Sequence, residues 1–404
     1  MSKKFVVVFL VLVMIVTISL AKTKLVLWQF MMDDATGKQV VEEFEKANPD
    51  IEVEFVQLSW ANGFDKIVTA FAADAAPDVL ELGNTWVANF AEEGVLSNMD
   101  WIMETNKDIV GWNSASYKGD VWGVPWLLGT RAMFYNIDLF EKAGLNPENP
   151  PATWAEILEA TEKIEALGNE IYGFGLASGE PYSPWQEWFL PAVWGNNGKV
   201  VSTDLTTSLF NSIEVVEAAQ FYQKLSKYAM LTKQDDLMDA FGDNKIGMVV
   251  GGAHQISALL TSYPETKFMV TFVPKPSNEK GFHASFAGGE VLTIPDSCDH
   301  KAEALKLVEY LVDPEVAMRV TKGYPAVFPS NITAQDDPWF EDHPLEYVFF
   351  EQNATAVPVP PTPQWTKIQE KVTEAVEALI LDKADVKATL DKYSQQIQDL
   401  LDQQ

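Results

Sequence analysis

Cys298 is the only cysteine in the chain. That excludes an internal disulfide, a Cys-x-x-Cys redox pair and a cysteine-rich zinc site. The four histidines, His254, His283, His300 and His343, are scattered without a His-Glu-x-x-His spacing, so the helical zinc motif is absent. Basic residues number 29 against 58 acidic ones, a net charge of −29 over 404 residues. Such a chain lacks the basic footprint that nucleic-acid phosphates require, and it disfavours anionic lipid surfaces. There is no Gly-x-Ser-x-Gly elbow and no Walker lysine loop. Gly288-Gly289 is a lone glycine pair, and the acids of Asp235–Asp243 lack calcium-loop spacing. No cofactor and no metal is implied. Two carboxylates suffice for a glycosidase, but nothing in the sequence singles out a pair.

Long apolar runs are missing after residue 21. Before it, Lys3 and Lys4 precede the unbroken apolar stretch Phe5–Val16, and Ser19-Leu20-Ala21 places small residues at −3 and −1. Basic, apolar, small-small is the secretory leader pattern. Residues 1–21 are therefore expected to be a signal peptide cleaved after Ala21. No cysteine follows the leader, so a lipoprotein is not expected, and the exported chain would be periplasmic.

What remains alternates strand and helix. Lys24–Gln29 is a short apolar run suited to a buried strand. Val40, Val41 and Phe44 stand at helical spacing until Asn48-Pro49. Ile51, Val53 and Phe55 alternate with Glu52 and Glu54, predicting a half-buried strand. A helix over Phe64–Ala73 and a strand over Val79–Leu82 follow. This order predicts an α/β fold with mainly parallel sheets flanked by helices. Thr153 and Glu156 form a capping box for a helix ending near Gly168. Asp299 is expected to cap Ala302–Val312. The tail reads as helix, with Val386, Leu390, Tyr393, Ile397 and Leu400 docking onto the protein's own body.

The 13 tryptophans carry the strongest functional signal. Trp28, Trp86, Trp122, Trp126, Trp185, Trp188 and Trp365 fall at strand ends or in loops rich in Gly or Pro. Open α/β sheets bind ligands outside the carboxyl ends of their strands. An indole covers the apolar face of a sugar ring while amides and carboxylates take its hydroxyls.

Several segments match a known family in order and spacing. They are Lys24-Leu-Val-Leu-Trp28, Phe44-Glu-Lys-Ala-Asn-Pro-Asp-Ile-Glu-Val53, Ala76-Pro77-Asp78-Val79 and Phe90-Ala-Glu-Glu-Gly-Val-Leu96. Gly119-Asp-Val-Trp-Gly-Val-Pro125, Phe134-Tyr-Asn136 and Leu139-Phe-Glu-Lys-Ala-Gly-Leu145 through Thr153-Trp154 continue the series. On these residues the chain resembles the extracellular solute-binding proteins of ABC importers, in the sugar-binding group that includes maltose-binding protein. His254 stands about where that protein has a tryptophan.

The resemblance implies two α/β lobes of the type II-like periplasmic-binding-protein fold, with a hinge crossed three times, near Thr130, Ser285 and Gly323. One lobe would comprise 22–130 and 286–323, the other 131–285 and 324–404. It implies a monomer that closes on a small carbohydrate, makes and breaks no bond, and delivers the solute to membrane permease subunits. The first lobe would offer Trp28, Gln29, Asp33, Asn84, Trp86 and Trp126. The second would offer Arg131, Tyr182, Trp185, His254 and Trp365, with Gly289 and Glu290 beside the second crossing. Arg131 could fork hydroxyls or an acidic sugar, or form a salt bridge. Two rival readings stay open: a secreted carbohydrate hydrolase, and the same receptor for a peptide, polyamine or phosphate ester.

Overall fold

The computed structural model describes residues 22–403 apart from residue 169. Residues 1–21, where the sequence predicts a signal peptide, lie outside the described residues. Among them, no helix is long and apolar enough to cross a membrane.

The chain opens with β1 (Thr23–Gln29), α1 (Asp34–Ala47), β2 (Ile51–Gln57), α2 (Gly63–Ala72) and β3 (Val79–Gly83). β1 is parallel to both β2 and β3, as short strands joined through helices require. Asp33 caps α1 by accepting from the Thr36 N–H at 2.8 Å. Val40, Val41 and Phe44 bury the inner face of that helix. Leu25 and Leu27 are fully buried, worth roughly 1.5–3 kcal/mol each.

The chain then runs through β4 (Val124–Gly129) straight into β5 (Arg131–Asn136). These two strands lie in different sheets. The first sheet is completed by β11 (Gly288–Thr293) and β12 (Phe328–Pro329), in the order β12-β4-β11-β3-β1-β2. The second holds β6 (Tyr172–Ala177), β7 (Ala229–Thr232), β8 (Ile246–Gly252) and β9 (Phe268–Thr271), in the order β9-β5-β8-β6-β7. Each sheet combines parallel ladders with antiparallel ones. Most of the antiparallel ladders involve β4, β5, β11 and β12, the strands next to the crossings between sheets. A short parallel pair, β10 (Ser285–Phe286) with β13 (Ala356–Val357), lies at the second crossing. Because β12 still bonds to β4 through Phe328 and Pro329, the chain leaves the first sheet beyond Gly323.

Separate cores form against each sheet. One gathers Leu25, Phe44, Ile67, Val291 and Leu307 around the first sheet. Two others flank the second, one with Phe174, Trp188 and Leu390, the other with Phe134, Phe241 and Phe268.

The capping box at Thr153 is present, and the helix Trp154–Glu165 follows it. Asp299 does not cap the next helix. Lys301–Leu311 begins after His300 without a side-chain cap. The tail helices, Trp365–Ile380 and Val386–Leu401, pack on each other and on Ile213–Leu225. There Gln223 Nε2 donates to the carbonyls of Leu379 and Ala384. The tail thus docks on the protein's own body, as its apolar spacing predicts.

Candidate functional site

The first two crossings are tied together. Thr130 separates β4 from β5, and its hydroxyl lies 2.7 Å from Ser285 Oγ. Ser285 Oγ accepts from the Arg131 N–H at 2.9 Å and donates to the Arg131 carbonyl at 2.8 Å. Both side chains are buried, so the hydroxyls satisfy backbone groups that would otherwise be orphaned between sheets. Asn84 Nδ2 donates to the Ala287 carbonyl at 2.8 Å, tying the end of β3 to the second crossing. Gly289 has φ +149°, and a Cβ there would stand 2.5 Å from the Leu127 carbonyl oxygen. Only glycine permits that approach.

At the carboxyl ends of β1 and β2 the first lobe presents a recess of 680 Å³, lined among others by Phe30, Asp33, Gln57, Trp60 and Tyr324. Its loop is held rigidly. Gln29 both donates to and accepts from the Met32 backbone, and Glu81 accepts from the Phe30 N–H at 2.7 Å. Trp60 stacks on Phe30 with centroids 4.1 Å apart and 19° between planes. It leans over Gly83, where a Cβ would meet its ring at 3.2 Å. Yet 45% of Trp60 stays exposed, an aromatic platform facing solvent. A second cavity of 480 Å³, lined by residues such as Asn84, Leu128, Ile332 and Phe350, shares no residue with the recess, and Glu81, Glu187, Glu290 and Arg131 line neither of the two.

The second wall is built on Pro184–Phe189, one turn of π-helix. Such turns recur at functional sites because the extra residue re-aims side chains. This one turns Trp185, Glu187 and Trp188 inward. Glu187 lies 2.8 Å from Arg131 Nε, with side chains only 11% and 15% exposed. Arg131 Nη1 donates to the Thr130 carbonyl at 3.2 Å, and its guanidinium lies 5.3 Å from the Phe286 ring. Trp185 meets Phe286 and Trp365 edge to face. Among the described residues, the indole N–H groups of Trp185 and Trp365 have no acceptor.

Register sets the electrostatics. Glu290 stands opposite Gly83 and Leu292 opposite Glu81, so Glu81 and Glu290 are diagonal neighbours on one face. Both are buried. Desolvation lifts the Glu81 carboxyl to about 8. It lifts Glu290 well above the carboxylate range, with the Glu81 charge adding to the rise and Arg131 opposing it. Burial also raises Glu187, again against Arg131. His254 stands in the same wall: a Cβ on Gly252 would lie 2.9 Å from its Nδ1 and 3.9 Å from Arg131 Nη1. His254 keeps an exposed surface, but desolvation and the Arg131 charge push its imidazole down to about 4, against an opposing pull from Asp235, leaving it neutral at pH 7.

The sequence-derived residues therefore divide. Arg131, Glu290 and His254 come together at the crossing. Asp33 reaches the recess, and Tyr182 is exposed. Trp126 is wholly buried with its N–H donated to the Leu311 carbonyl, so it belongs to the core. Trp86 fills an aromatic cluster with Phe64 and Trp60. Trp28 packs under α2, with Lys66 Nζ 4.7 Å from its ring centroid. Gln29 and Asn84 are spent on backbone contacts. Trp60, Tyr324, Glu81 and Glu187 were missed. Trp60 alone carried a signal, since Leu58-Ser59-Trp60 directly follows a strand. The others acquire a role only through register.

The bacterial extracellular solute-binding protein family matches residues 31–318. The sn-glycerol-3-phosphate-binding periplasmic protein of Salmonella typhimurium is 25% identical over 329 residues, covering 74% of this chain and 72% of that one. An ABC transporter solute-binding protein from Thermotoga lettingae, solved bound with alpha-D-tagatose, is 29% identical with a TM-score of 0.80, covering 94% of this chain and all of that one. The cyclic alpha-maltosyl-1,6-maltose binding protein of Arthrobacter globiformis shares the fold at 22% identity and a TM-score of 0.85, covering 95% of this chain and 100% of that one.

Proposed function

Because this chain belongs to the bacterial extracellular solute-binding protein family, we propose that it is the periplasmic receptor of an ABC importer, capturing a carbohydrate and handing it to membrane permease subunits. The observation that carries the sugar reading is the exposed Trp60–Phe30 stack beside buried, underused hydrogen-bonding groups. A ring can cover the platform while its hydroxyls reach Glu290, Asp33 and the second wall.

On this reading the lobes comprise 22–130 with 286–329, and 131–285 with 330–404. The third crossing moves from Gly323 to after Pro329 because β12 remains hydrogen-bonded to β4. Ligand touching both lobes would favour the closed form through its differential affinity for that form. The contact set is Asp33, Trp60, Arg131, Tyr182, Trp185, His254, Glu290, Tyr324 and Trp365. Trp126 drops out because its N–H is already donated to the Leu311 carbonyl, whereas Trp185 and Trp365, equally buried, have indole N–H groups without an acceptor among the described residues. The role needs no catalysis. Glu81 and Glu290 lie side by side on one sheet face and do not flank a cleft as a glycosidase pair must.

A thermal-shift screen of mono- and disaccharides tests the reading. A bound sugar at 100 times its Kd should stabilise the protein by about 2.7 kcal/mol, change tryptophan fluorescence and be recovered unchanged. Turnover of the sugar would favour the hydrolase. A screen in which no sugar shifts the melt would end the carbohydrate reading.

A further inference from the structure

Resting on the reading that the two lobes close on a solute, we propose that Asn89 is an interlobe latch. Its side-chain amide, by donating to the Pro363 carbonyl, holds the lobes together and sets how readily the cleft opens, without touching the solute. Asn89 Nδ2 lies 2.9 Å from the Pro363 oxygen, 274 positions along the chain. Only the NH₂ end of an amide can face a carbonyl, so the partner fixes which way Asn89 points. Asn89 Oδ1 is then buried without a hydrogen-bond partner among the described residues, as is Oε1 of Gln364, the residue after Pro363. The contact is thus shielded from water, where a hydrogen bond is electrostatically stronger than at an open surface.

Both ends stand on rigid supports. Asn89 sits in the short helix Val87–Glu92, whose Val87, Ala88, Phe90 and Ala91 are buried in the first core. Pro363 closes the tract Pro358-Val-Pro-Pro-Thr-Pro363, held extended by its four prolines. Val359 within the tract and Trp365 just after it are anchored in the core of the second lobe. The Lys367 and Ile368 N–H groups both go to the Gln364 carbonyl, which leaves the Pro363 carbonyl outside the helix ladder and open to a donor from the other lobe. A pull on Pro363 therefore moves a lobe and not a loop.

The contact also has leverage. Other hydrogen bonds between the lobes gather at the crossings, Thr130 with Ser285, Ala287 with Val357 and Val110 with Ser330. Lys322 and Asp337 add an exposed ion pair near the third crossing, of a kind worth little. Contacts on a hinge leave rotation about it free, whereas one away from it must break when the lobes part. Along Pro358–Pro361 the tract borders an interlobe crevice of 550 Å³, with Tyr117 and Lys118 on one lobe and Trp194 and Lys199 on the other. Asn89 follows Trp86 and the carboxyl end of β3, and Pro363 precedes Trp365, which meets Trp185 in the second wall. The latch thus joins the two rims of the cleft. One neutral hydrogen bond shifts such an equilibrium by roughly two- to tenfold, enough to bias the lobes without locking them.

The experiment is double electron–electron resonance on the full mature chain without solute. Spin labels go at K46C and K224C, exposed positions on different lobes, in a C298S background that removes the one native thiol. The expected parent distribution contains a closed component, and its ratio to the open one should fall about three- to tenfold in N89A. N89D should lower it further, since a carboxylate would then face the carbonyl. K322M, which removes only the exposed pair, should leave the ratio within about twofold. N89A should keep the parent's far-UV spectrum and melting temperature, and it carries the test should N89D not fold. A ratio that is unchanged or rises in N89A overturns the latch. An equal fall in K322M overturns its assignment to Asn89. Because no solute is present, a failed sugar screen beside a responding ratio ends the carbohydrate reading and leaves the latch standing.

Discussion

Removing Glu187 should destabilise the second lobe far more than an ordinary ion pair would suggest. Glu187 and Arg131 are 11% and 15% exposed, and their atoms approach to 2.8 Å. Surface pairs are worth little, but a buried charge stripped of its partner costs about 3–5 kcal/mol. E187Q leaves the guanidinium with the Thr130 carbonyl and a little solvent, which places the loss near the lower end, about 3 kcal/mol. For a unit of 150–250 residues that is a fall of about 6–12 °C in Tm. Burial raises the Glu187 carboxyl even though Arg131 opposes the rise. The pair as a whole is therefore poorly compensated. Replacing both members by methionine should cost little or even stabilise. Urea unfolding of E187Q, R131M and R131M/E187M, followed by circular dichroism, forms a double-mutant cycle. The expected coupling is about 3 kcal/mol at unchanged m-value. Simple additivity, or an E187Q loss under about 0.5 kcal/mol, would refute the reasoning.

Three further outcomes are expected. Trp60→Ala should weaken sugar binding at least tenfold while costing only about 1 kcal/mol of stability, the worth of its stack on Phe30; Trp126→Ala should do the reverse, losing about 3–5 kcal/mol of stability. Glu81 holds its proton to about 8 when folded against 4.5 when free, so the unfolded chain binds fewer protons across that window. Stability is then fullest below pH 4.5 and falls as pH rises towards 8; Glu81→Gln should flatten this slope in melting curves, and an unchanged slope would show that the buried carboxyl is already ionised. Gly289→Ala, which brings a Cβ against the Leu127 carbonyl at φ +149°, should cost more than about 1 kcal/mol in urea titrations.

The site was legible only where local sequence could speak for it. Trp60 was visible in principle, as an indole three residues past a strand with Ile51, Val53 and Phe55 on its inner face. Trp126 and Trp86 sit just as close to strand ends, yet the aromatic nature of a residue does not say which sheet face it lands on. For Trp126 the Leu311 carbonyl settles the matter, and that carbonyl lies 185 residues away. Arg131 could be flagged, but its partner could not. Glu187 turns inward because Pro184–Phe189 winds as a π-turn, a geometry that has no reliable local signature. Asp299 looked like a cap, but the helix starts at Lys301 after His300, within the usual uncertainty of helix ends.

From the sequence alone came the alternation of strand and helix, the lack of catalytic and metal motifs, and the likeness to exported receptors, which in turn implied the crossings near Thr130 and Ser285. These depend on periodicity, capping and short ordered motifs, all written within a few residues of one another. Folding in three dimensions decided which tryptophans became core and which became surface. It also decided that Arg131 answers to Glu187, and that Glu81 and Glu290 share a face. Those pairings join residues 56 and 209 positions apart, and in a sheet a one-residue slip would send each side chain to the opposite side.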